Sequence, residues 1–192
     1  MKKLVAILLI SLTASFAFAG IDDGTDSFGV YFDVNGNTNT FAAPIFTPFN
    51  VYLLIMNPAG TTDGYECTVT PTGAPYFILS TTLPAGALDI DSAANGFAVG
   101  AASPLSPNAG GALVACTWQF MVQAPTPLEF RIGPATFPSM PGGLPVVTGN
   151  GILRRCGISS GSTSAPVAYV NGTNQPIATE VSSFGNVKSL FR

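Results

Sequence analysis

The chain has 192 residues, of which 9% are charged and 47% are hydrophobic, and its formal net charge is −3 at pH 7. This acidic balance excludes the basic surface that nucleic acids and anionic membranes bind. The sequence contains no His, which excludes Ser-His-Asp and Cys-His hydrolases and His-ligated zinc. The high apolar content, with 14 Phe among many Gly and Pro, favours a packed domain rich in turns over a disordered chain.

Residues 1–19 have the three parts of a secretory signal peptide. A Met-Lys-Lys start is followed by an apolar run too short to span a bilayer, and then by the small-residue cleavage signal Ala17-Phe18-Ala19. The sequence therefore predicts a mature chain that begins at Gly20. Its export class is typical of bacteria, and the product is expected outside the cell, at the cell surface or in the periplasm. No later apolar run is long enough for a membrane helix.

The mature chain starts with an acidic segment, residues 20–27, which predicts a solvated and flexible end. Carboxylate ligands suited to calcium occur there and just beyond it, at Asp22, Asp23, Asp26 and Asp33. Asp33 opens the stretch DVNGNTNT, which lacks the Gly and the bidentate Glu that a full calcium loop needs at its sixth and twelfth positions. We interpret this stretch as a turn around Asn35-Gly36. A calcium site would require the N-terminus to fold back onto Asp33, and otherwise no cofactor is expected.

Short apolar stretches separated by turn residues follow between residues 28 and 156. The stretch 28–33 alternates in polarity, whereas 49–56 is apolar almost throughout, as expected of a central strand covered on both faces. Further strands are predicted at 65–70, 76–80, 97–101, 112–122, 128–132, 146–148 and 151–155. About nine strands with this regular spacing predict an all-β domain, a two-sheet antiparallel β-sandwich over one core.

The amino-acid composition changes after the predicted sandwich. Residues 157–179 are rich in Ser, Gly and Pro and are predicted to pack on the domain or to link from it. Residues 180–192 form a predicted amphipathic tail with apolar side chains at helix-compatible spacing, namely Phe184, Val187, Leu190 and Phe191. This short helical tail has two interpretations, a helix that docks on the domain or a recognition signal for export or assembly.

Four stretches of the domain carry a resemblance to a known family. They are NVYLLIMNPAGTTDGYECTVTPTG, GGALVACTWQFMV, LEFRIGPAT and the closing GNGILRR. Their strand order and glycine placement, over residues 28–156, resemble cohesin-type modules, which are secreted jelly-roll sandwiches. The resemblance implies a jelly-roll, cohesin-like fold and a habit of binding other proteins or surfaces, and it identifies no dockerin partner.

The chain has three cysteines, Cys67, Cys116 and Cys156. Strand alternation places Cys67 on the same face as Val69, and Cys116 on the same face as Val114, so both are predicted to point into the core. The cohesin resemblance implies that their two strands are neighbours in one sheet, and on that basis we predict a Cys67–Cys116 disulfide. A bridge that involves Cys156, or three free thiols, are the alternatives. No His is present to activate a catalytic Cys.

The remaining chemistry rests on carboxylates and on aromatic rings. A glycosidase needs two acids about 5–10 Å apart, and the domain offers Asp63, Glu66, Asp89, Asp91 and Glu129 without an aromatic cleft around them. Rings that could stack on sugars are Tyr31, Tyr52, Tyr76 and Tyr169. We therefore predict a non-enzymatic module that works outside the cell by protein–protein interaction, adhesion or assembly, with other surface proteins or further copies of itself as partners. A carbohydrate-binding module, aided by calcium, is the alternative.

Overall fold

The computed structural model describes residues 21–172, which form thirteen β-strands. Within that range the chain contains no α-helix, and none of it is a helix that could cross a membrane. The strands are β1 (Ser27–Tyr31), β2 (Thr40–Phe41), β3 (Phe49–Met56), β4 (Thr62–Gly73), β5 (Tyr76–Thr82), β6 (Ala87–Asp89), β7 (Gly96–Leu105), β8 (Ala112–Val122), β9 (Leu128–Gly133), β10 (Val146–Gly149), β11 (Ile152–Arg155), β12 (Gly157–Ile158) and β13 (Ala168–Val170).

The strands form two sheets that pack face to face, which confirms the predicted all-β sandwich. The five-stranded sheet has the order β12-β1-β3-β8-β5. The eight-stranded sheet follows β11-β10-β4-β9-β13-β2; in addition, β7 pairs with the long strand β4, and β6 pairs with β7. Among these strands, β12 beside β1 and β13 beside β2 are the parallel pairs, and the other pairs are antiparallel.

One hydrophobic core lies between the two sheets. Along β3 the side chains of Val51, Leu53 and Ile55 face this core, because residues two apart share a face of a strand. Aromatic rings fill its centre, where the ring centroids of Phe120 and Phe130 lie 5.3 Å apart in an edge-to-face arrangement. Burying one such side chain contributes about 1.5–3 kcal/mol, so the core supplies most of the drive to fold.

A β-bulge in β8 changes which side chains reach this core. Leu53 of β3 pairs with Cys116, whereas Leu54 pairs with Val114, so Ala115 is the extra residue. Ala115 and Cys116 therefore both face the core, and Val114 packs on the outer face of the sheet. The prediction that Val114 shares a face with Cys116 is wrong for this reason.

A second, smaller hydrophobic cluster lies on the outer face of the five-stranded sheet and is covered by the loop after β1. Met56 packs in this cluster. Gly36 lies over it at φ +72°, and a Cβ there would stand 2.8 Å from the Met56 Cε, so glycine is required for this close approach. The Ile21 N–H donates to the Gly36 carbonyl at 2.9 Å, which ties the N-terminal segment to the same loop.

The two segments that flank the predicted domain are also part of the sandwich in the described range. Asp22 and Asp26 are buried, which differs from the solvated and flexible end predicted for residues 20–27. On the C-terminal side, β12 and β13 add strands to the two sheets, and Val167, Ala168 and Val170 are buried in the core. Residues 157–172 therefore pack on the domain.

Candidate functional site

The four aspartates considered for calcium lie at the N-terminal end of the sandwich, and each has its own surroundings. Asp22 accepts hydrogen bonds from the Gly24 N–H at 2.9 Å and from the Tyr31 hydroxyl at 3.5 Å, and Asp23 is exposed. Asp33 accepts the N–H groups of Asn35 and Asn37. Within residues 21–172, no group of three or more His, Cys, Asp or Glu side chains is placed to hold a metal ion.

The fourth of them, Asp26, is buried and forms a partly buried ion pair that joins the two sheets. Arg154 on β11 donates to Asp26 through Nε at 2.8 Å and through Nη2 at 3.2 Å, and the Ala59 N–H donates to the same carboxylate at 3.0 Å. Burial acts to raise the pKa of Asp26, but the hydrogen bonds from Arg154 and Ala59 outweigh it, so the pKa lies below its usual value. This carboxylate is therefore a structural anion.

The predicted Cys67–Cys116 disulfide is absent, and both residues are buried free thiols, as is Cys156. The premise of the prediction is wrong, because β4 with Cys67 and β8 with Cys116 belong to opposite sheets. Burial raises the pKa of Cys67, and the neighbouring Cys116 adds to that effect. Burial likewise raises the pKa of both Cys116 and Cys156 to about 12. Thiols in this state are poor nucleophiles, so none of the three is suited to catalysis.

The tyrosines considered for sugar binding do not form one platform. Tyr31 and Tyr52 are opposite each other in the pairing of β1 with β3, and Tyr31 is fully buried. Tyr76 packs against Phe120 with ring centroids 5.4 Å apart, and Tyr169 lies in the other sheet.

The carboxylates considered for catalysis are each engaged in a local hydrogen bond. The Asn150 N–H donates to Asp63, the Ala93 N–H donates to Asp91, and Arg131 forms an ion pair with Glu129 at 2.6 Å. Asp89 and Glu66 also accept backbone N–H groups. The predicted tail residues Phe184, Val187, Leu190 and Phe191 lie outside the described residues.

A groove with a volume of about 240 Å³ lies on the outer face of the eight-stranded sheet. Its floor consists of outward-facing small and apolar residues of β7 and β10, including Ala98, Gly100 and Val146. Its walls are formed by Ile90 after β6 and by Leu153 on β11, both exposed. We call this feature the outer groove. Since its floor is made of backbone and small side chains, a partner could approach the sheet closely there.

The loop between β9 and β10 closes one side of the outer groove and is fixed by Glu66. The Ser139 N–H donates to Glu66 Oε1 at 2.6 Å, and the Ser139 hydroxyl donates to Oε2 at 2.7 Å. Further along the loop, Gly142 lies so close to Arg155 that a Cβ there would be 3.0 Å from its guanidinium carbon. The loop between β9 and β10 is therefore held by contacts with two strands, β4 and β11.

In the segment 88–91, which forms one wall of the outer groove, the apolar side chains are exposed and Asp89 faces the sheet. This is the reverse of the pattern in a usual half-buried strand. In the sequence Leu88-Asp89-Ile90-Asp91, Leu88 is 67% exposed and Ile90 is 77% exposed. Asp89 instead turns toward the sheet and accepts the N–H groups of Asp91 and Ala98, each at 3.0 Å. Sequence reasoning missed this site because it considered only the two carboxylates. The alternating pattern of these four residues did indicate the site, because it places the two aliphatic residues on one face and the two hydrogen-bonded acids on the opposite face.

No family model and no curated protein matches the chain. Its structure is similar to the cohesin module of a family 33 glycoside hydrolase from Clostridium perfringens, at a TM-score of 0.43 and 10% identity over 68% of this chain and 90% of that one. It is also similar to the sixth cohesin of scaffoldin B from Acetivibrio cellulolyticus, solved in complex with a Cel5 dockerin, at a TM-score of 0.46 and 10% identity over 76% of this chain and 98% of that one. Both of these structures are cohesin modules, the family that the sequence resembles.

Proposed function

We propose that the protein is a secreted, non-enzymatic binding module that contacts a protein partner outside the cell through the outer groove. The single observation that carries this proposal is the exposure of Ile90 and Leu153 around a floor of Ala98 and Gly100. Aliphatic side chains exposed at a concave surface are stabilised when a partner covers them.

The size of the outer groove favours a protein side chain over a small-molecule ligand. Sites for small molecules usually enclose about 300–1,000 Å³, and the outer groove has about 240 Å³. Pockets that receive one or two anchoring side chains at the centre of a protein interface need less room. The partner is therefore expected to insert an apolar side chain, with the exposed Leu88 extending the contact beyond the groove.

One charged group at the rim contributes to a polar border for the contact. Glu66 lines the groove and is held in place by Ser139. Polar groups around an apolar centre are the usual anatomy of a protein interface. Because Glu66 is negatively charged, a basic residue of the partner is expected beside it rather than an acidic one.

A site of action outside the cell is supported by the sequence of residues 1–19, with its basic start, its short apolar run and its Ala17-Phe18-Ala19 cleavage signal. A non-enzymatic role is supported by the absence of His from the chain and by the high pKa of Cys116 and Cys156.

The proposal is tested by measuring the binding of labelled residues 20–192 to intact cells of the producing bacterium. The variant Ile90→Asp/Leu153→Asp places two charges in the outer groove and is expected to weaken binding by more than about tenfold. Ile152→Asp is the matched control, because Ile152 is an exposed neighbour of Leu153 that does not line the groove. Equal binding by the groove variant and the wild type would exclude the outer groove as the contact surface.

The chemistry of the partner is tested in the same assay by treating the cells with protease before binding. Loss of binding after this treatment supports a protein partner. Binding that survives protease, together with binding to a glycan array that the substitution Tyr52→Ala removes, would instead establish the carbohydrate-binding alternative.

A further inference from the structure

A second surface, on the opposite sheet from the outer groove, has the properties of a strand-pairing site. In the described part of the chain, β5 lies at the end of the five-stranded sheet and pairs with β8 alone. It has 7 residues, and all but Tyr76 are exposed. Seven residues exceed the mean strand length of about 5–6. The outer edge of β5 therefore presents a long row of backbone N–H and C=O groups that a further strand could use.

This edge lacks the charges that usually prevent two edge strands from pairing. Natural edge strands are protected by charged side chains, by Pro or by β-bulges. The β5 sequence YFILSTT contains no charge and no Pro, and no charged residue occurs in the chain between Glu66 and Asp89. Phe77, Ile78 and Leu79 form an exposed apolar run in its first half. Such a run without charge or proline is typical of a segment that pairs with another strand.

A bulge within β5 leaves one residue unused by the existing sheet. Ile78 pairs with Phe120 and Ser80 pairs with Gln119, so Leu79 has no partner on β8. Leu79 is nevertheless 47% exposed rather than packed elsewhere. Bulges often re-aim a side chain at the margin of a sheet, and this one leaves the Leu79 side chain open to contact with another molecule.

We propose that β5 pairs antiparallel with the β5 strand of a second copy of this chain, so that two five-stranded sheets join into one continuous sheet. A two-fold axis brings the same strand of both copies together. A charged side chain near the axis would therefore lie beside the same charge on the second copy and be repelled by it. A segment of 22 residues without charge avoids that repulsion, as the interval from Cys67 to Leu88 does. The predicted tail at 180–192 is a less suitable occupant, because it contains Glu180, Lys188 and Arg192.

The test is the molar mass of residues 20–192 in size-exclusion chromatography with light scattering over a concentration series. The wild type is expected to approach twice the monomer mass at high concentration. Leu79→Lys is expected to weaken dimerisation by more than about tenfold, because it sets two ammonium groups near one axis. Val34→Lys is the matched control, since Val34 is 43% exposed on a loop away from β5, and it is expected to dimerise like the wild type.

Three outcomes would overturn the proposal. They are a wild type that stays monomeric throughout the series, a Leu79→Lys variant that dimerises as well as the wild type, and a dimer that disappears when residues 173–192 are deleted. Circular dichroism and the melting temperature establish that each variant is folded. Because the outer groove lies on the other sheet, loss of cell binding by the groove variant leaves this result unaffected, and the two proposals fail separately.

Discussion

The hydroxyl of Tyr65 donates a hydrogen bond of 2.7 Å to the main-chain carbonyl of Ala115 across the core. Ala115 is the bulged residue of β8, and its carbonyl is therefore released from the regular ladder with β3. A buried carbonyl without a donor costs free energy. Tyr65 supplies that donor from the opposite sheet, so the bulge and the tyrosine form one structural unit.

The first prediction concerns this unit. Tyr65→Phe is expected to lower the free energy of unfolding by about 1–3 kcal/mol, because the Ala115 carbonyl is left buried without a donor. The measurement is equilibrium unfolding in urea. Tyr52→Phe is the control, since the Tyr52 hydroxyl accepts a hydrogen bond from Asn50 in an exposed position and its loss should cost less than about 0.5 kcal/mol. Equal effects of the two substitutions would show that the cross-core bond contributes nothing specific.

The second prediction concerns pH and the pair of Asp26 with Arg154. The pKa of Asp26 is lower in the folded chain than its reference value of 3.8. Its contribution to stability is therefore complete above pH 3.8 and is lost as the pH falls through the lower, folded value. Asp26→Asn is expected to cost about 1.5–3 kcal/mol near neutral pH and to make the melting temperature less dependent on pH in the acidic range.

The matched control for this prediction is Asp23→Asn, because Asp23 is exposed three residues away from the partly buried pair. Melting curves between about pH 2 and pH 6 span the transition of a carboxyl group. The control is expected to follow the wild type. A wild type whose stability falls no more steeply in acid than that of Asp26→Asn would contradict the account of the pair.

The third prediction concerns the thiols. The folded chain is expected to react slowly with an aromatic disulfide reagent, because Cys67, Cys116 and Cys156 are buried and their pKa values are raised. In guanidinium without reductant, all three thiols are expected to react. Recovery of a single thiol under those conditions would contradict the structure and show that two of the three cysteines are bridged.

The fourth prediction concerns the loop that closes the outer groove. Glu66→Ala removes both acceptors of Ser139 and is expected to speed proteolytic cleavage between β9 and β10 severalfold, with little change in global stability. Glu129→Ala is the control, because it removes a half-buried ion pair with Arg131 and leaves the loop untouched. Cleavage at equal rates in both variants would show that Glu66 does not hold the wall.

The strands that the sequence predicted are those whose apolar residues follow the burial of the strand. The bounds 49–56 and 112–122 agree with β3 and β8, because long apolar stretches bounded by turn residues admit few alternatives. The four strands that were not predicted, β2, β6, β12 and β13, have two or three residues each. Pairing partners distant in the sequence define strands this short, and local composition carries little information about them.

The sequence could neither exclude the Cys67–Cys116 disulfide nor locate the outer groove, because both depend on the topology. The order of strands decides that Cys67 and Cys116 lie in opposite sheets, and no local pattern encodes that order. The bulge at Ala115 reverses the alternation within β8 without any marker residue. The outer groove joins Ile90, Ser139 and Leu153 from three separate segments. The low pKa of Asp26 likewise requires the position of Arg154.

The pairing of β1 with β12 has a consequence for how the chain acquires its structure. Gly157 is the β12 residue paired with Ser27, and the ion pair beside it joins residues 128 positions apart. The first strand therefore lacks one of its two neighbours until nearly the whole described chain has left the ribosome. Contacts of such long range slow folding. Completion of the sandwich therefore requires the final strands of the described chain.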